Sequence, residues 1–225
     1  MTRISDEHNV SAPTSGRQSI TTVIRPATYA DAEAVGVLLA SALEAKYRPT
    51  LGRRAAAALT SVIRDELRTP PHGYWVAERG GSIIAAAHLA TAEDAPAVGL
   101  AQRLSQIIGW TRTIWALSAL SILAHGPLED DEAYIGELAV AAHARRQGVA
   151  ATLMGQLDVH ATALGKTRLT LWVTHDNAPA RALYADLGFS ERARRTWRVG
   201  RLVFGSPGAL LMEKRLIASA EVSDA

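Results

Sequence analysis

Apolar residues recur along this chain either at alternate positions or at every third to fourth position, and each spacing predicts a different element. Strand-like patterns lie at residues 21–25, 74–78, 83–90, 134–140, 168–173, 191–199 and 209–216. Helical patterns lie at residues 31–43, 53–67, 148–164 and 177–187. The third helix is expected to bury one face, made of Val149, Leu153, Leu157, Ala161 and Leu164.

Capping and turn-forming residues mark the ends of several elements. Thr28 followed three residues later by Asp31 resembles a capping box at a helix start. The prolines at 70–71 end the helix before them, and the glycines at 80–81 predict an antiparallel hairpin. Gly188 can end the last helix in a left-handed conformation.

Residues 97–126 form a further apolar segment between two predicted strands. It is too apolar for a solvent-exposed loop, so we expect it to pack against another part of the protein or a second copy. We expect a helical insertion that covers the open side of the sheet. A purely structural helix or a dimer contact is the alternative. Its large apolar residues include Leu104, Ile107, Ile108, Ile114, Trp115, Leu117, Leu120 and Leu123.

The order of these elements predicts one α/β domain with a mixed sheet of about seven strands flanked by helices. With 225 residues, of which 48% are apolar, the chain can bury one core of ordinary size. We expect the domain to span residues 20–217. Residues 1–19 are expected to form a disordered leader, and residues 218–225 a flexible tail.

Composition excludes several classes of protein. The 24 basic and 22 acidic residues nearly cancel, so no nucleic-acid partner is expected despite a pI near 9.1. The absence of cysteine excludes disulfides and thiolate chemistry, and favours a cytoplasmic location. The seven histidines lack ligand-like spacing, so no metal is expected. Residues 107–124 are too interrupted to span a membrane.

An arginine-rich segment near the C-terminus is the most basic part of the chain. It could contact an acidic substrate, although a solvated strand face is favoured. Its members are Arg192, Arg194, Arg195, Arg198 and Arg201.

The segment Arg145-Arg146-Gln147-Gly148-Val149-Ala150 lies between a predicted strand and the first turn of a helix. A helix start has about four unpaired amide N–H groups and a partial positive charge, which suit a phosphate-like anion. Gly148 leaves room for close approach of that anion to the backbone. Taken alone, the segment could equally be an ordinary strand-to-helix turn with two solvated arginines.

Two ordered motifs resemble the GNAT superfamily of N-acetyltransferases. Arg145, Gly148 and Ala150 match the acyl-CoA-binding pattern Gln/Arg-x-x-Gly-x-Gly/Ala. Residues 177–189 resemble the second signature, Asn-x-x-Ala-x-x-Leu-Tyr-x-x-x-Gly-Phe. The resemblance implies a single GNAT-like domain with acetyl-CoA as cosubstrate.

The resemblance also implies which residues hold the cosubstrate. Backbone groups of Leu138 and Val140 would pair with the pantetheine arm, and amides of residues 146–151 would hold the pyrophosphate. The side chain of Asn177 would fix the arm, although a plain helix N-cap is an equal alternative. The full expected set is Leu138, Ala139, Val140, Arg145, Arg146, Gln147, Gly148, Val149, Ala150, Ala151 and Asn177.

Two residues are expected to take part in catalysis. Tyr184 would hydrogen-bond the departing sulfur, whereas without the family pattern a core aromatic would be favoured. Glu137 would accept the proton of the attacking amine directly or through water, and its alternative is a strand carboxylate paired with an arginine. Asp131, Glu132 and His175 are reserve candidates for the base.

These observations predict an N-acetyltransferase that moves an acetyl group from acetyl-CoA to a primary amine by direct attack. The acceptor is a small molecule or a peptide, with the insertion at residues 97–126 as a wall of its pocket. The alternative is a non-catalytic acyl-CoA-binding regulatory protein. A homodimer is compatible with the sequence.

Overall fold

The computed structural model describes residues 21–68, 73–94, 99–123, 125–197 and 206–216. The expected leader at 1–19 and tail at 218–225 lie outside these residues. The described strands are β1 (Thr22–Pro26), β2 (Tyr74–Arg79), β3 (Ser82–Thr91), β4 (Glu132–Val140), β5 (Arg168–Thr174), β6 (Ser190–Thr196) and β7 (Gly208–Arg215). The described α-helices are α1 (Ala32–Ala42), α2 (Glu44–Leu51), α3 (Ala55–Glu66), α4 (Leu100–Ile108), α5 (Trp110–Leu123), α6 (Val149–Ala163) and α7 (Ala178–Asp186).

The seven strands form one sheet in the order β1-β2-β3-β4-β5-β7-β6. Neighbours pair antiparallel except β4 and β5, which are parallel and are joined through α6. β2 and β3 form the predicted hairpin, and Gly80 and Gly81 turn it with φ of 58° and 77°. The predicted α/β class, with its mixed seven-stranded sheet, is confirmed.

Each face of the sheet has its own core because successive strand residues point to opposite sides. On β2, Trp75 and Ala77 belong to one buried cluster, while Tyr74 and Val76 belong to the other. Helices α6 and α7 cover the first face, and α1, α2 and α3 cover the second. The sheet is therefore a middle layer between helices.

The predicted apolar face of α6 is correct at four positions and wrong at one. Val149, Leu153, Leu157 and Ala161 are buried, whereas Leu164 is 47% exposed. Leu164 is the C-cap residue that follows the last helical residue, Ala163, and lies at the exposed end of α6. Gly188 does end α7 with a left-handed φ of 90°, as predicted.

Helix α2 is an element that the sequence pattern did not predict. It contains Pro49, which cannot donate the backbone hydrogen bond that a helix interior requires. The helix persists because Tyr47 and Leu51 are each only 3% exposed, and their burial offsets the poor helix propensity.

The insertion before β4 folds as two helices rather than one. Gly109 takes a left-handed φ of 82° and separates α4 from α5. The expectation that this segment lies over the open side of the sheet is wrong, because among the described residues α4 and α5 pack mainly against each other, and beyond that α4 packs against α3 and α5 against α2. No helix in the described ranges is long and apolar enough to cross a bilayer.

The basic segment at the C-terminal end is a solvated strand in its described part. Every residue of β6 is exposed. Arg192 pairs with Glu213 at 3.0 Å and Arg194 pairs with Glu191 at 3.0 Å. Arg198 and Arg201 lie outside the described residues.

Candidate active site

A cleft of about 770 Å³ opens where β4 and β5 separate. The parallel register pairs Glu132–Ile135 of β4 with Arg168–Leu171 of β5. Both strands then continue, to Val140 and Thr174, without pairing to each other. This separation leaves backbone polar groups of the central strands facing a cavity instead of a neighbouring strand.

The register of β3 with β4 identifies which backbone groups face the cleft. The amide of Ala141 donates to the carbonyl of Ile84 at 2.8 Å, so Ala141 points toward β3. Backbone groups alternate in an antiparallel ladder, so Ala139 also faces β3 while Leu138 and Val140 face the cleft. These are the two residues predicted to pair with a pantetheine arm. The Arg145 Nε already donates to the Val140 carbonyl at 3.2 Å.

The loop before α6 forms an open cradle at one end of the cleft. Arg146 and Gly148 both have left-handed backbone, with φ of 62° and 77°. A Cβ added to Gly148 would meet no protein atom within 4 Å, so the space beside this glycine is open. The first amides of a 15-residue helix point there with the positive end of its dipole. Arg145, Arg146, Gly148, Val149, Ala150 and Ala151 line the cleft.

Gln147 differs from the other predicted cosubstrate-binding residues. Its side chain accepts from Arg79 Nη1 at 2.7 Å and donates to the His143 carbonyl at 2.7 Å. It is not among the residues that line the cleft. Only its backbone amide remains a prediction for ligand binding.

Asn177 is a helix N-cap and also lies at the wall of the cleft. Its Oδ1 accepts from the Ala180 amide at 3.3 Å, which makes it the N-cap of α7. The same residue lines the cleft, together with Pro179 and Ala180. The helix cap therefore places a polar side chain at the cleft wall.

Tyr184 lies on α7 and lines the same cleft, although it is only 8% exposed. Its ring packs against Phe189, with 5.8 Å between ring centroids. Burial raises the pKa of Tyr184 to about 12, so its hydroxyl stays protonated near neutral pH. Among the described residues the hydroxyl has no hydrogen-bond partner, and it can donate to a bound ligand.

Glu137 lies on β4 at the other side of the cleft and is surrounded by three partners. Its Oε1 accepts from Lys46 Nζ at 2.9 Å and from the Tyr47 hydroxyl at 2.7 Å. Its Oε2 lies 3.8 Å from His88 Nδ1. Burial tends to raise the pKa of Glu137, but the charges of Lys46 and His88 and these hydrogen bonds outweigh it and lower the pKa to about 2.

His88 connects Glu137 with a second carboxylate. Its Nε2 lies 2.8 Å from Glu66 Oε1, and its ring packs against Tyr74 with 4.5 Å between centroids and a tilt of 39° between the rings. Burial tends to lower the pKa of His88, but the hydrogen bond and charge of Glu66 and the charge of Glu137 raise it above its ordinary value. The two carboxylates therefore stabilise the charged form of the ring against the effect of burial.

The sequence did not single out Lys46, Tyr47 or His88 as site residues. Lys46 and Tyr47 lie on α2, the helix that contains Pro49 and that the sequence pattern did not predict. His88 was covered only by the statement that the histidines lack ligand-like spacing, yet it lies opposite Glu137 in the register of β3 and β4. The sequence signal that could have located His88 was the predicted hairpin, because its second strand carries His88 and pairs with β4.

The three reserve candidates for the base lie away from the cleft. Glu132 is buried at the start of β4, where it accepts from Thr170 and pairs with His125. Asp131 pairs with Arg168 at 3.1 Å. Five residues of strand, or roughly 17 Å, separate Glu132 from Glu137. His175 follows β5 and is not among the residues that line the cleft.

The described part of the insertion does not line the cleft either. The lining contains Ala42, Leu43, Ala45 and Lys46 from α1, α2 and their junction, but no described residue of α4 or α5. Two residues of α5 link it to α2: Trp115 Nε1 donates to the Pro49 carbonyl at 3.2 Å, and Arg112 donates to the Thr50 carbonyl at 3.2 Å and the Arg48 carbonyl at 3.5 Å. The insertion therefore contacts the cleft only indirectly, because α5 packs against α2 and α2 forms part of the cleft wall.

Solved structures of acetyltransferases share this fold. One acetyltransferase aligns over 87% of this chain and 100% of its own, with a TM-score of 0.58 and 22% identity. Ard1 from Thermoplasma volcanium covers 87% of this chain and 98% of its own, with a TM-score of 0.58 and 19% identity. PaiA N-acetyltransferase from Thermoplasma acidophilum, in complex with coenzyme A, covers 87% and 99%, with a TM-score of 0.57 and 12% identity.

Sequence comparison identifies the family directly. A comparison with curated proteins gives no match. The sequence profile described as "Acetyltransferase (GNAT) family" matches residues 38–189, which is more than half of the chain and includes the separated strands, the cradle and α7. The chain belongs to the GNAT family of acetyltransferases and is an acyltransferase by family and fold.

Proposed function

We propose that the protein transfers an acetyl group from acetyl-CoA to a primary amine by direct attack, without a covalent enzyme intermediate. The observation that carries this proposal is the shared cleft. Leu138, Val140 and the Gly148 cradle lie along it, with Tyr184 on one side and Glu137 on the other. The acceptor is a small molecule or a peptide.

The residues present suit the cosubstrate. Backbone groups of Leu138 and the amide of Val140 face the cleft and can pair with an extended amide-containing arm, as an added strand would, while the Val140 carbonyl already accepts from Arg145 Nε. The Gly148 cradle and the amides at the start of α6 suit a pyrophosphate, and Asn177 lines the same cleft. Bound acetyl-CoA supplies an activated acetyl thioester.

Tyr184 acts as a hydrogen-bond donor rather than as a full acid. Its pKa of about 12 lies well above the value of about 8.5 for a thiol, so complete proton transfer to a thiolate is uphill. A donated hydrogen bond still stabilises negative charge that develops on sulfur, and does so best in a cleft with little water.

Glu137 acts mainly through its charge. An ordinary lysine-like amine with a pKa of about 10.4 needs roughly 4.6 kcal/mol to become neutral at pH 7. A carboxylate with a pKa of about 2 is always ionised there but is a weak base. It attracts the acceptor nitrogen and stabilises the positive charge that forms on it as the new C–N bond forms. The proton then leaves through Glu137 to water.

The test is an acetyl-CoA turnover assay across a panel of primary amines, with release of free CoA as the readout. We expect amine-dependent release of CoA and a matching N-acetylated product by mass spectrometry. Calorimetry with CoA is run in parallel on the same preparation. Tight CoA binding without turnover of any amine would instead favour a non-catalytic acyl-CoA-binding regulator.

A further inference from the structure

We propose that Lys46 is a self-acetylation site, modified by the acetyl-CoA that binds in its own cleft. This inference rests on the proposed function. The Lys46 side chain ends in a primary amine, which is the acceptor class of the proposed reaction. It lines the cleft, and its Nζ lies 2.9 Å from Glu137 Oε1, at the expected position of an acceptor nitrogen.

Helix α2 holds this amine at the cleft. Tyr47, the next residue, is 3% exposed and donates from its hydroxyl to Glu137 at 2.7 Å. The Lys46 side chain remains 28% exposed, so it is anchored at its base and accessible at its end. An amine tethered beside the bound thioester reacts as a neighbouring group with a high effective concentration.

The distribution of lysine makes this site distinctive. The chain has only three lysines, Lys46, Lys166 and Lys214, among 24 basic residues. Lys166 is 4% exposed at its side chain and bonds Glu93 and the Asp130 carbonyl. Lys214 pairs with Asp158 on α6. Neither lines the cleft, so both serve as internal controls.

The chemistry balances without any further reactant. The Lys46 ammonium loses one proton to water, and its nitrogen attacks the acetyl carbonyl. The N–C bond forms, the C–S bond breaks, and the CoA thiolate leaves and takes up a proton. The product is a neutral amide, so the acceptor end of the cleft loses one positive charge and Glu137 loses one of its two cationic partners.

The reaction is expected to be slow because Lys46 Nζ is held by Glu137 Oε1 at 2.9 Å and must leave that contact to attack the acetyl carbonyl. An intramolecular reaction also has a rate constant independent of protein concentration.

The experiment incubates the full chain, first verified as unacetylated, with acetyl-CoA and no acceptor. Intact mass and peptide mapping should show one acetyl group, on Lys46, while Lys166 and Lys214 stay unmodified. Lys46→Arg keeps the charge but should gain no acetyl group. A chain unfolded in denaturant should lose the preference for Lys46, which separates this reaction from chemical acetylation.

The outcomes separate this inference from the proposed function. Turnover of the amine panel with an unmodified Lys46 overturns self-acetylation and leaves the proposed function intact. Equal labelling of the three lysines, or a rate constant that rises with protein concentration, also overturns it. Failure to bind CoA overturns both.

Discussion

At Glu137 the sequence predicted the position of a site residue but not its partners. Its position next to Leu138 made it a candidate from the sequence, and the structure places it in the cleft. Its partners were not predictable in the same way. Tyr47 bonds it across 90 positions of sequence, and the lowered pKa depends on charges that such distant residues supply. A sequence motif identifies a carboxylate but not its basicity.

Tyr184→Phe tests the role of one hydroxyl. We expect turnover to fall roughly tenfold to a hundredfold, because a single donor to the departing sulfur is lost. CoA affinity and thermal stability should change little, since among the described residues the hydroxyl has no protein partner. Steady-state kinetics and calorimetry measure both. Equal turnover in wild type and Tyr184→Phe would mean that Tyr184 has only a structural role.

Glu137→Gln tests the charge beside Lys46. The pKa of Glu137 is lowered from 4.5 to about 2, so its ionised form stabilises the folded state above pH 4.5 and this contribution is lost as pH falls toward 2. The shift corresponds to about 3 kcal/mol at neutral pH.

Denaturant unfolding at pH 7, 5 and 3 measures this contribution. The free energy of unfolding of the variant should be lower than that of wild type by about 3 kcal/mol at pH 7 and pH 5, and the difference should shrink at pH 3. Glu191→Gln is the matched control, because Glu191 pairs with Arg194 on an exposed strand and such pairs contribute at most about 1 kcal/mol. A pH-independent difference for Glu137→Gln would contradict the assignment.

At the scale of elements, the sequence predicted where regular structure lies better than how it is interrupted. Strands and long helices with strong periodicity were placed within a few residues. The errors lie at α2, where burial of Tyr47 overrides Pro49, and at Gly109, where a left-handed glycine divides a long apolar segment. Both depend on tertiary contacts or on backbone conformation, and hydrophobic spacing reports neither.

Trp115→Ala tests whether α5 supports the acceptor end of the cleft. Trp115 Nε1 donates to the Pro49 carbonyl, and α2 carries Lys46 at the cleft. Loss of this contact should loosen α2 and raise the acceptor Michaelis constant several-fold. The Michaelis constant for acetyl-CoA should stay within about twofold, because the cradle lies on α6. Trp110→Ala is the control, since Trp110 is 59% exposed and, among the described residues, makes no hydrogen bond or ring contact with α2. Equal effects of the two substitutions would show that the contact with Pro49 is unimportant.

At the scale of the whole molecule, the order of elements predicted the class of fold, but not the pairing that makes the cleft. β7 lies between β5 and β6, so the last two strands close the sheet by an antiparallel hairpin. The parallel pair β4 and β5 is then internal, and its separation after Ile135 creates a cavity in the middle of the sheet. Local patterns do not encode where a ladder stops, whereas the family signature did indicate which residues would lie beside it.

The two ends of α6 provide a matched test of where the cosubstrate binds. Gly148 and Gly165 have nearly the same left-handed φ, 77° and 76°, and a Cβ at either would meet no protein atom within 4 Å. Substitution by glutamate should therefore strain both backbones by a similar amount, about 1–2 kcal/mol. Only Gly148→Glu places bulk and negative charge in the cradle.

Ligand-linked stability measures the difference between these two variants. CoA at a hundred times its Kd should stabilise the wild type and Gly165→Glu by about 2.7 kcal/mol, because it binds only the folded chain. The same concentration should leave Gly148→Glu unchanged, since the added carboxylate repels a pyrophosphate at the start of α6. Thermal unfolding with and without CoA gives both values on folded protein. Full stabilisation of Gly148→Glu by CoA would exclude the cradle as the pyrophosphate site, and loss of stabilisation in both variants would mean that backbone strain, rather than the cradle, controls binding.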